Sequence, residues 1–157
     1  MKEATREKAM YRYNLGLRFE AIVERWPCNT ALKYPDAEAI SYDALNHRSN
    51  QLARYLLDMG IRRQDVVGIS GDKHIDTYAG MLACLKIGAI YTMLDPESPQ
   101  ERLRKIFSTC SPRVVFVGPA MDTGLAEHHG RRVVMKVTAE LDKALANYSD
   151  GNLEITR

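Results

Sequence analysis

The chain is short of cysteine, of net charge and of long apolar runs, and each shortage removes a class of protein. Its three cysteines, Cys28, Cys84 and Cys110, are widely spaced and form no Cys-x-x-Cys pair. Neither a disulfide framework nor a thiolate zinc site is expected, and reduced, buried thiols are. Lys and Arg number 22 against 20 Asp and Glu, a formal net charge of +2, too even a balance to draw the chain to nucleic acid or to an anionic membrane. The most apolar region, residues 78–94, carries Lys86, Gly80 and Gly88 and falls short of the ~20 residues of a membrane span. The opening Met1-Lys-Glu-Ala-Thr-Arg-Glu-Lys is charged throughout and lacks the apolar stretch of a secretion signal, which points to the cytoplasm. No internal repeat or low-complexity tract interrupts the 157 residues, and with 45% of them hydrophobic one compact domain is expected.

The hydrophobic spacing supplies the elements. Leu15, Phe19, Ile22, Val23 and Trp26 recur at helical intervals after Asn14, a good N-cap, and Pro27 ends the pattern. Ala31-Leu-Lys-Tyr34 and Ala39-Ile-Ser-Tyr42 flank a Pro35-Asp36-Ala37 turn and predict a hairpin. Asp43 is the expected cap of a helix whose apolar face is Leu45, Ser49, Leu52, Ala53, Leu56 and Leu57, closed by Gly60 and Ile61 in a Schellman arrangement. Asp65-Val-Val-Gly-Ile-Ser70 has no polar alternation, as in a strand covered on both faces. Residues 75–87 then form a helix apolar nearly all round, with small residues Ala79, Gly80 and Ala83 for close packing and Gly88 as its stop.

Ala89-Ile-Tyr-Thr-Met-Leu94 is the next strand. Ser98-Pro99-Gln100-Glu101 reads as a capping box opening a helix that buries Leu103, Ile106, Phe107 and Cys110. Val114-Val-Phe-Val117 and Arg132-Val-Val-Met-Lys-Val137 are two further strands, with a helix at 119–128 between them and a last helix from Thr138. Strands and helices that alternate over short connections predict an α/β fold, a mostly parallel sheet with flanking helices and right-handed crossovers.

Chemistry is harder to find. Gly68-Ile-Ser-Gly71-Asp72-Lys73 stands between strand and helix but matches neither a P-loop nor a dinucleotide fingerprint. His128-His129 has no third ligand at a usual spacing, His47 falls between core positions of its helix, and His74, near a strand end, lacks a nucleophile or base partner. Asp72, Asp76 and Asp95 are explained by caps and turns. Ser70 lacks the Gly-x-Ser-x-Gly elbow, and Arg62-Arg63 and Arg131-Arg132 are solvated loop charges. The residues by themselves define a soluble α/β domain with no catalytic, cofactor-binding or metal-binding residue.

Two stretches carry a resemblance. Ile40-Ser-Tyr-Asp-Ala-Leu45-Asn46, continued by Arg48, Asn50, Leu52, Ala53, Leu56 and Gly60, resembles the Leu-Thr-Tyr-x-Glu-Leu segment and following helix of the adenylate-forming enzymes. Leu85-Lys-Ile-Gly-Ala-Ile-Tyr91-Thr-Met-Leu-Asp95-Pro96 is similar to that family's Leu-Lys-Ala-Gly-x-Ala-Tyr-Val-Pro-Ile-Asp-Pro, and Pro99, Glu101, Arg102 and Leu103 match the Pro-x-Glu-Arg-Leu that follows. The opening helix, with Phe19-Glu20 and later Pro27, looks like the start of a nonribosomal peptide synthetase adenylation domain. Ile87, Thr92, Met93 and Ser98 depart from the pattern at packing and turn positions.

The resemblance implies residues 1–14 as an N-terminal extension and 15–157 as a partial adenylation domain, the N-terminal subdomain before the phosphate-binding loop. It implies a complete enzyme that uses ATP and magnesium to join a carboxylic acid, most simply an amino acid, to AMP and then to the phosphopantetheine thiol of a carrier protein. The partners expected of the chain are the remainder of that domain, the carrier protein and the acid substrate. No cofactor is expected to bind these residues alone, and no position here inherits a catalytic role. Three alternatives stay open: a noncatalytic subunit of a split ligase, a fragment of the acyl-CoA synthetase type, and an unrelated nucleotide-binding α/β module using Gly68 to Lys73.

Overall fold

A computed structural model describes residues 14–35, 38–71, 74–118, 121, 133–136 and 139–154, the backbone alone for 133–136. Helices α1 (Leu15–Arg25), α2 (Tyr42–Asp58), α3 (Ile75–Ile87), α4 (Gln100–Cys110) and α5 (Ala139–Leu145) alternate with strands β1 (Thr30–Leu32), β2 (Ile40–Ser41), β3 (Val66–Ser70), β4 (Ile90–Leu94), β5 (Val114–Val117) and β6 (Val133–Lys136). The first two strands make the antiparallel hairpin. The other four form a parallel sheet in the order β4-β3-β5-β6. The helix expected at 119–128 lies outside the described residues except for Met121.

Alternate side chains of the strands feed two clusters, as a period of two requires. Val67, Ile69, Val114 and Phe116 meet Leu45, Leu52 and Leu56 of α2, Ala79 and Ala83 of α3, and Leu141 and Leu145 of α5. Leu94, Val115 and Val117 meet Leu103 and Phe107 of α4 and Met121. The sheet is therefore sandwiched between helices. At Gly68 in the central strand an added Cβ would stand 2.9 Å from Leu94 Cδ1 and 3.4 Å from Val115 Cγ1, so the missing side chain lets the α4 layer close on the sheet.

The helix ends follow the sequence at their carboxyl side and at the Asn14 cap of α1, and depart from it at the starts of α2 and α4. Gly60 adopts φ 83°, the Ile61 N–H donates to the Leu56 carbonyl and the Gly60 N–H to that of Leu57, each at 3.0 Å, the complete Schellman pair. Gly88 closes α3 at φ 72°. At the start of α2, however, Ser41 and not Asp43 is the cap, its Oγ accepting from the Ala44 N–H at 3.1 Å, because Tyr42 is already helical and leaves Asp43 in the first turn. The capping box of α4 does not form. Pro99 takes the cap position without a side-chain bond, while Ser98 Oγ turns back to Asp95 Oδ2 at 3.3 Å.

Two burial expectations are also corrected. Only Cys84 of the three thiols is buried, whereas Cys28 is exposed and Cys110 intermediate; burial pushes the Cys84 thiol up to about 12. And α1 buries only part of the face its apolar residues mark: Val23 is buried and Phe19 packs against the core, with Gly16 and Glu20 beside them, while Leu15, Ile22 and Trp26 are exposed.

Candidate functional site: a buried lysine joining the motifs

The orientation of α1 has a chemical cause. Lys86, near the end of α3, shares a helix face with Ala79 and Ala83 and is 2% exposed, so its ammonium must find oxygen partners inside the protein. Its Nζ donates to Glu20 Oε1 at 2.5 Å, to Asn46 Oδ1 at 2.8 Å and to Asn50 Oδ1 at 2.7 Å. These are three acceptors for three ammonium hydrogens, one carboxylate and two amides. Desolvation pulls the Lys86 pKa below the ordinary lysine value, and the hydrogen bond and charge of Glu20 oppose it.

Each partner is fixed in turn. Asn46 and Asn50 lie one turn apart on α2, next to the apolar face, and their Nδ2 groups donate to Asn152 Oδ1 at 2.9 and 3.1 Å. Asn50 also donates to the Asp150 carbonyl at 2.6 Å. Arg54, another turn along, reaches the Ser149 and Gly151 carbonyls at 3.0 and 2.7 Å. On the other side, Asn14 caps α1 through the Gly16 N–H at 2.7 Å while its own amide donates to the Leu85 carbonyl at 3.3 Å. A Cβ on Gly16 would sit 3.2 Å from Lys86 Cγ and 3.3 Å from its backbone nitrogen. The glycine thus sets how closely α1 approaches α3.

A second tie runs beside the first. Arg48 grips buried Asp76 through Nε at 2.6 Å and Nη2 at 3.1 Å, and reaches Asp142 on α5 at 2.6 Å. Burial lowers the Arg48 pKa, and the two carboxylates outweigh it, so the guanidinium is held more firmly charged than usual. Asp76 is therefore an ion-pair partner at the start of α3.

The other residues singled out by the sequence stay apart. His74 caps α3, its Nδ1 accepting from the Asp76 N–H at 3.4 Å. His47 is half exposed between Asp43 and Asp150, at 3.3 and 3.9 Å. Asp95 builds a turn by accepting from the Glu97 N–H at 3.0 Å. Ser70 is buried at the end of β3, its carbonyl accepting from Thr77 Oγ1 at 3.1 Å. Arg62 Nη1 returns to the Leu57 carbonyl at 2.7 Å, and the Arg63 side chain lies over Gly88. Asp72, Lys73, His128, His129, Arg131 and Arg132 fall outside the described residues.

The carboxyl edge of the parallel sheet, where open α/β folds bind ligands, does not fit ATP and magnesium among the described residues. The Gly71 N–H, which a phosphate cradle would need, donates to the Leu94 carbonyl at 2.9 Å. Asp76 is held by Arg48, and no three His, Cys, Asp or Glu side chains among the described residues could hold a metal ion. No helix among them is long and apolar enough to cross a membrane.

Helix α1, the α2 segment and the α3–β4 segment are the three stretches that carry the family resemblance, and they meet at one ammonium. Comparison with known proteins agrees. The profile of the AMP-binding enzymes matches residues 19–154, and the chain belongs to that family of adenylate-forming ligases. Its similar relatives are nonribosomal peptide synthetases: bacitracin synthase 1 of Bacillus licheniformis is 40% identical over 134 residues, 85% of this chain and 2% of the relative. Surfactin synthase subunit 2 of Bacillus subtilis is 39% identical over 100 residues, 64% of this chain and 3% of the relative. The chain thus spans only 2 to 3% of these relatives' length.

Among solved structures, the fatty acyl CoA synthetase of Mycobacterium tuberculosis superposes with TM-score 0.81 at 16% identity, over 92% of this chain and 30% of that one. The N-terminal subdomain of Klebsiella oxytoca NpsA does so with TM-score 0.73 at 23% identity, over 91% and 35%. The fold is that of the adenylate-forming ligases.

Sequence reasoning named Glu20, Asn46, Asn50 and Lys86 as motif positions and missed that they form one cluster. The signal was available. A lysine at 79-83-86 spacing with two alanines, and a glutamate spaced four from Gly16 and three from Val23, both lie on faces that pack inward.

Proposed function

We propose that residues 15–157 are the N-terminal scaffold of an amino-acid-adenylating ligase, preceded by an extension at 1–14, and that no residue described here performs its chemistry. In the complete enzyme a carboxylate attacks the α-phosphate of ATP, giving an acyl-adenylate and pyrophosphate. A carrier-protein thiol then takes the acyl group and releases AMP. The scaffold's part is to hold α1, α2 and α3 in one arrangement beneath the sheet, and with it the loops at the sheet's carboxyl edge.

The observation that carries this reading is the convergence of the family's three stretches on Lys86, a buried contact of four residues whose ammonium hydrogens are all taken up inside the protein. An amino acid is favoured over a fatty acid as substrate because the 34–40% identities are with peptide synthetases, whereas the acyl-CoA synthetase likeness is one of fold.

A chimera tests it. Residues 15–157 replace the matching stretch of a bacitracin synthase 1 adenylation domain, and amino-acid-dependent ATP–pyrophosphate exchange is measured beside that of the 157-residue chain alone. The chimera is expected to exchange with the host's amino acid preference and the isolated chain not to exchange. A folded chimera with changed preference, or exchange by the chain alone at the host's rate, would overturn the proposal.

A further inference from the structure

Residues 148–152 form neither helix nor strand, yet each of their five carbonyls accepts from a side chain of α2. Gln51 Nε2 donates to that of Tyr148 at 3.4 Å, and Asn50 Nδ2 to that of Asp150 at 2.6 Å. Arg54 takes the other three, Ser149 at 3.0 Å, Gly151 at 2.7 Å and Asn152 at 3.3 Å. Such a grip on the main chain is blind to sequence. One side chain of the segment is read as well: Asn152 Oδ1 accepts from Asn46 Nδ2 at 2.9 Å and from Asn50 Nδ2 at 3.1 Å.

The direction of those two amides is dictated from below. An ammonium donates and cannot accept, so with Lys86 Nζ at 2.8 and 2.7 Å, Asn46 and Asn50 must each turn the amide oxygen toward it. Their NH2 groups then point away from the lysine and converge on Asn152 Oδ1. The place at 152 therefore demands an oxygen acceptor and refuses a donor. Without the charge, either amide could turn over and present its oxygen there instead. The third hydrogen of the same ammonium goes to Glu20 of α1, which leaves none for Asn152. The lysine and Asn152 can act on each other only through the two asparagines.

We propose that residues 148–152 are a strap latched onto α2 by the charge of Lys86, and that Asn152 is the positioning residue that reads this charge through the Asn46 and Asn50 amides. The carbonyl contacts of Arg54 and Gln51 hold the strap near α2, and the oriented amides fix its register. Glu20 and Asn152 thus draw on one ammonium from two sides. Because coupling of this kind is reciprocal, seating of α1 favours a closed strap and a closed strap favours a seated α1.

The test is native-state proteolysis of the full chain by chymotrypsin, with the cut positions read by mass spectrometry. Cleavage after Tyr148 requires the strap to open, whereas cleavage after Phe107, whose side chain is fully buried, reports global unfolding. Asn152→Leu removes the acceptor and is expected to raise the first rate relative to the second by roughly tenfold. Asn152→Asp keeps an acceptor and is expected to stay within about twofold of the unsubstituted chain. Lys86→Met with Glu20→Leu removes the ion pair whole and leaves both asparagines. In that background the amides are free to turn, and adding Asn152→Leu is expected to change strap cleavage by less than about twofold. Should that background not fold, the contrast between Asn152→Leu and Asn152→Asp decides alone. A strap indifferent to Asn152→Leu, one opened equally by Asn152→Asp, or a tenfold effect that persists without Lys86 would overturn the proposal.

Discussion

On the α2–α3 face of the sheet a buried ammonium and a guanidinium draw α1, α2, α3, α5 and the 149–152 segment together. On the opposite face α4 is seated by Leu103 and Phe107 against Leu94, Val115 and Val117, and the side-chain bonds of Arg104 and Ser108 stay within the helix. Apolar contact is non-directional and tolerates small rotations of a helix. An ammonium that needs three acceptors does not. The first face therefore fixes orientation at the cost of desolvating a charge, and the second supplies adhesion. α1 shows the consequence: its orientation follows Glu20 and leaves Leu15, Ile22 and Trp26 in solvent.

The comparison breaks most visibly at Lys86. Lys86→Met is expected to destabilise the chain by about 3–5 kcal/mol, because the Glu20 carboxylate is then left buried without its cation. Urea denaturation followed by circular dichroism measures it. Adding Glu20→Leu with Asn46→Leu and Asn50→Leu is expected to restore a large part of the loss, since a buried polar set replaced whole by apolar groups is often neutral. Losses that add up along this series would show the four residues to be independent.

On the other face, Leu103→Ala is expected to cost about 2–3 kcal/mol by leaving a cavity over the sheet. Its signature is the contrast. Combined with Lys86→Met the two costs should add within a few tenths of a kcal/mol, because the sites share no partner. Strong coupling between them would mean that the sheet transmits strain from one layer to the other.

This contrast also explains what could be read from the sequence. The apolar face of α2, the all-round apolar α3, the buried strands β3 and β5 and the glycine ends at Gly60 and Gly88 were all legible, since each is a local consequence of periodicity or of a positive φ. The face of α1 was legible only at Phe19 and Val23. Periodicity weighs each helix alone, and Leu15, Ile22 and Trp26 outrank Glu20 on any apolar scale until Lys86, 66 residues away, is known to need a carboxylate. The exposure of Ile90 and Met93 was hidden for a similar reason, because an apolar run looks the same in a central strand and in β4, which among the described residues pairs on one side. The resemblance located the motif residues but not what they do; the three stretches had to fold together before their polar members made sense.

A smaller effect tests the approach of α1 to α3. Gly16→Ala places a methyl 3.2 Å from Lys86 Cγ and 3.0 Å from Asn14 Oδ1. Overpacking of about 1–3 kcal/mol is set against a helix-propensity gain of up to ~1 kcal/mol, so a net loss of about 1 kcal/mol is expected. The fluorescence of Trp26, the single tryptophan, reports movement of α1 directly. A stabilised Gly16→Ala variant would mean that the α1–α3 contact yields and that Lys86 alone holds the helix.

The smallest effects sharpen the comparison at the helix starts. Ser41 caps α2 through the Ala44 N–H, so Ser41→Ala is expected to cost about 1 kcal/mol. Ser98 stands before α4 in a sequence that matches a capping box, yet among the described residues its hydroxyl bonds only to exposed Asp95, at 3.3 Å, and Ser98→Ala is expected to cost less than about 0.5 kcal/mol. Paired denaturation curves in one buffer decide between the sequence pattern and the observed geometry. Equal costs would mean that Ser98 caps α4 in solution, and the α4 face would then owe part of its order to a directional bond, as the lysine face does.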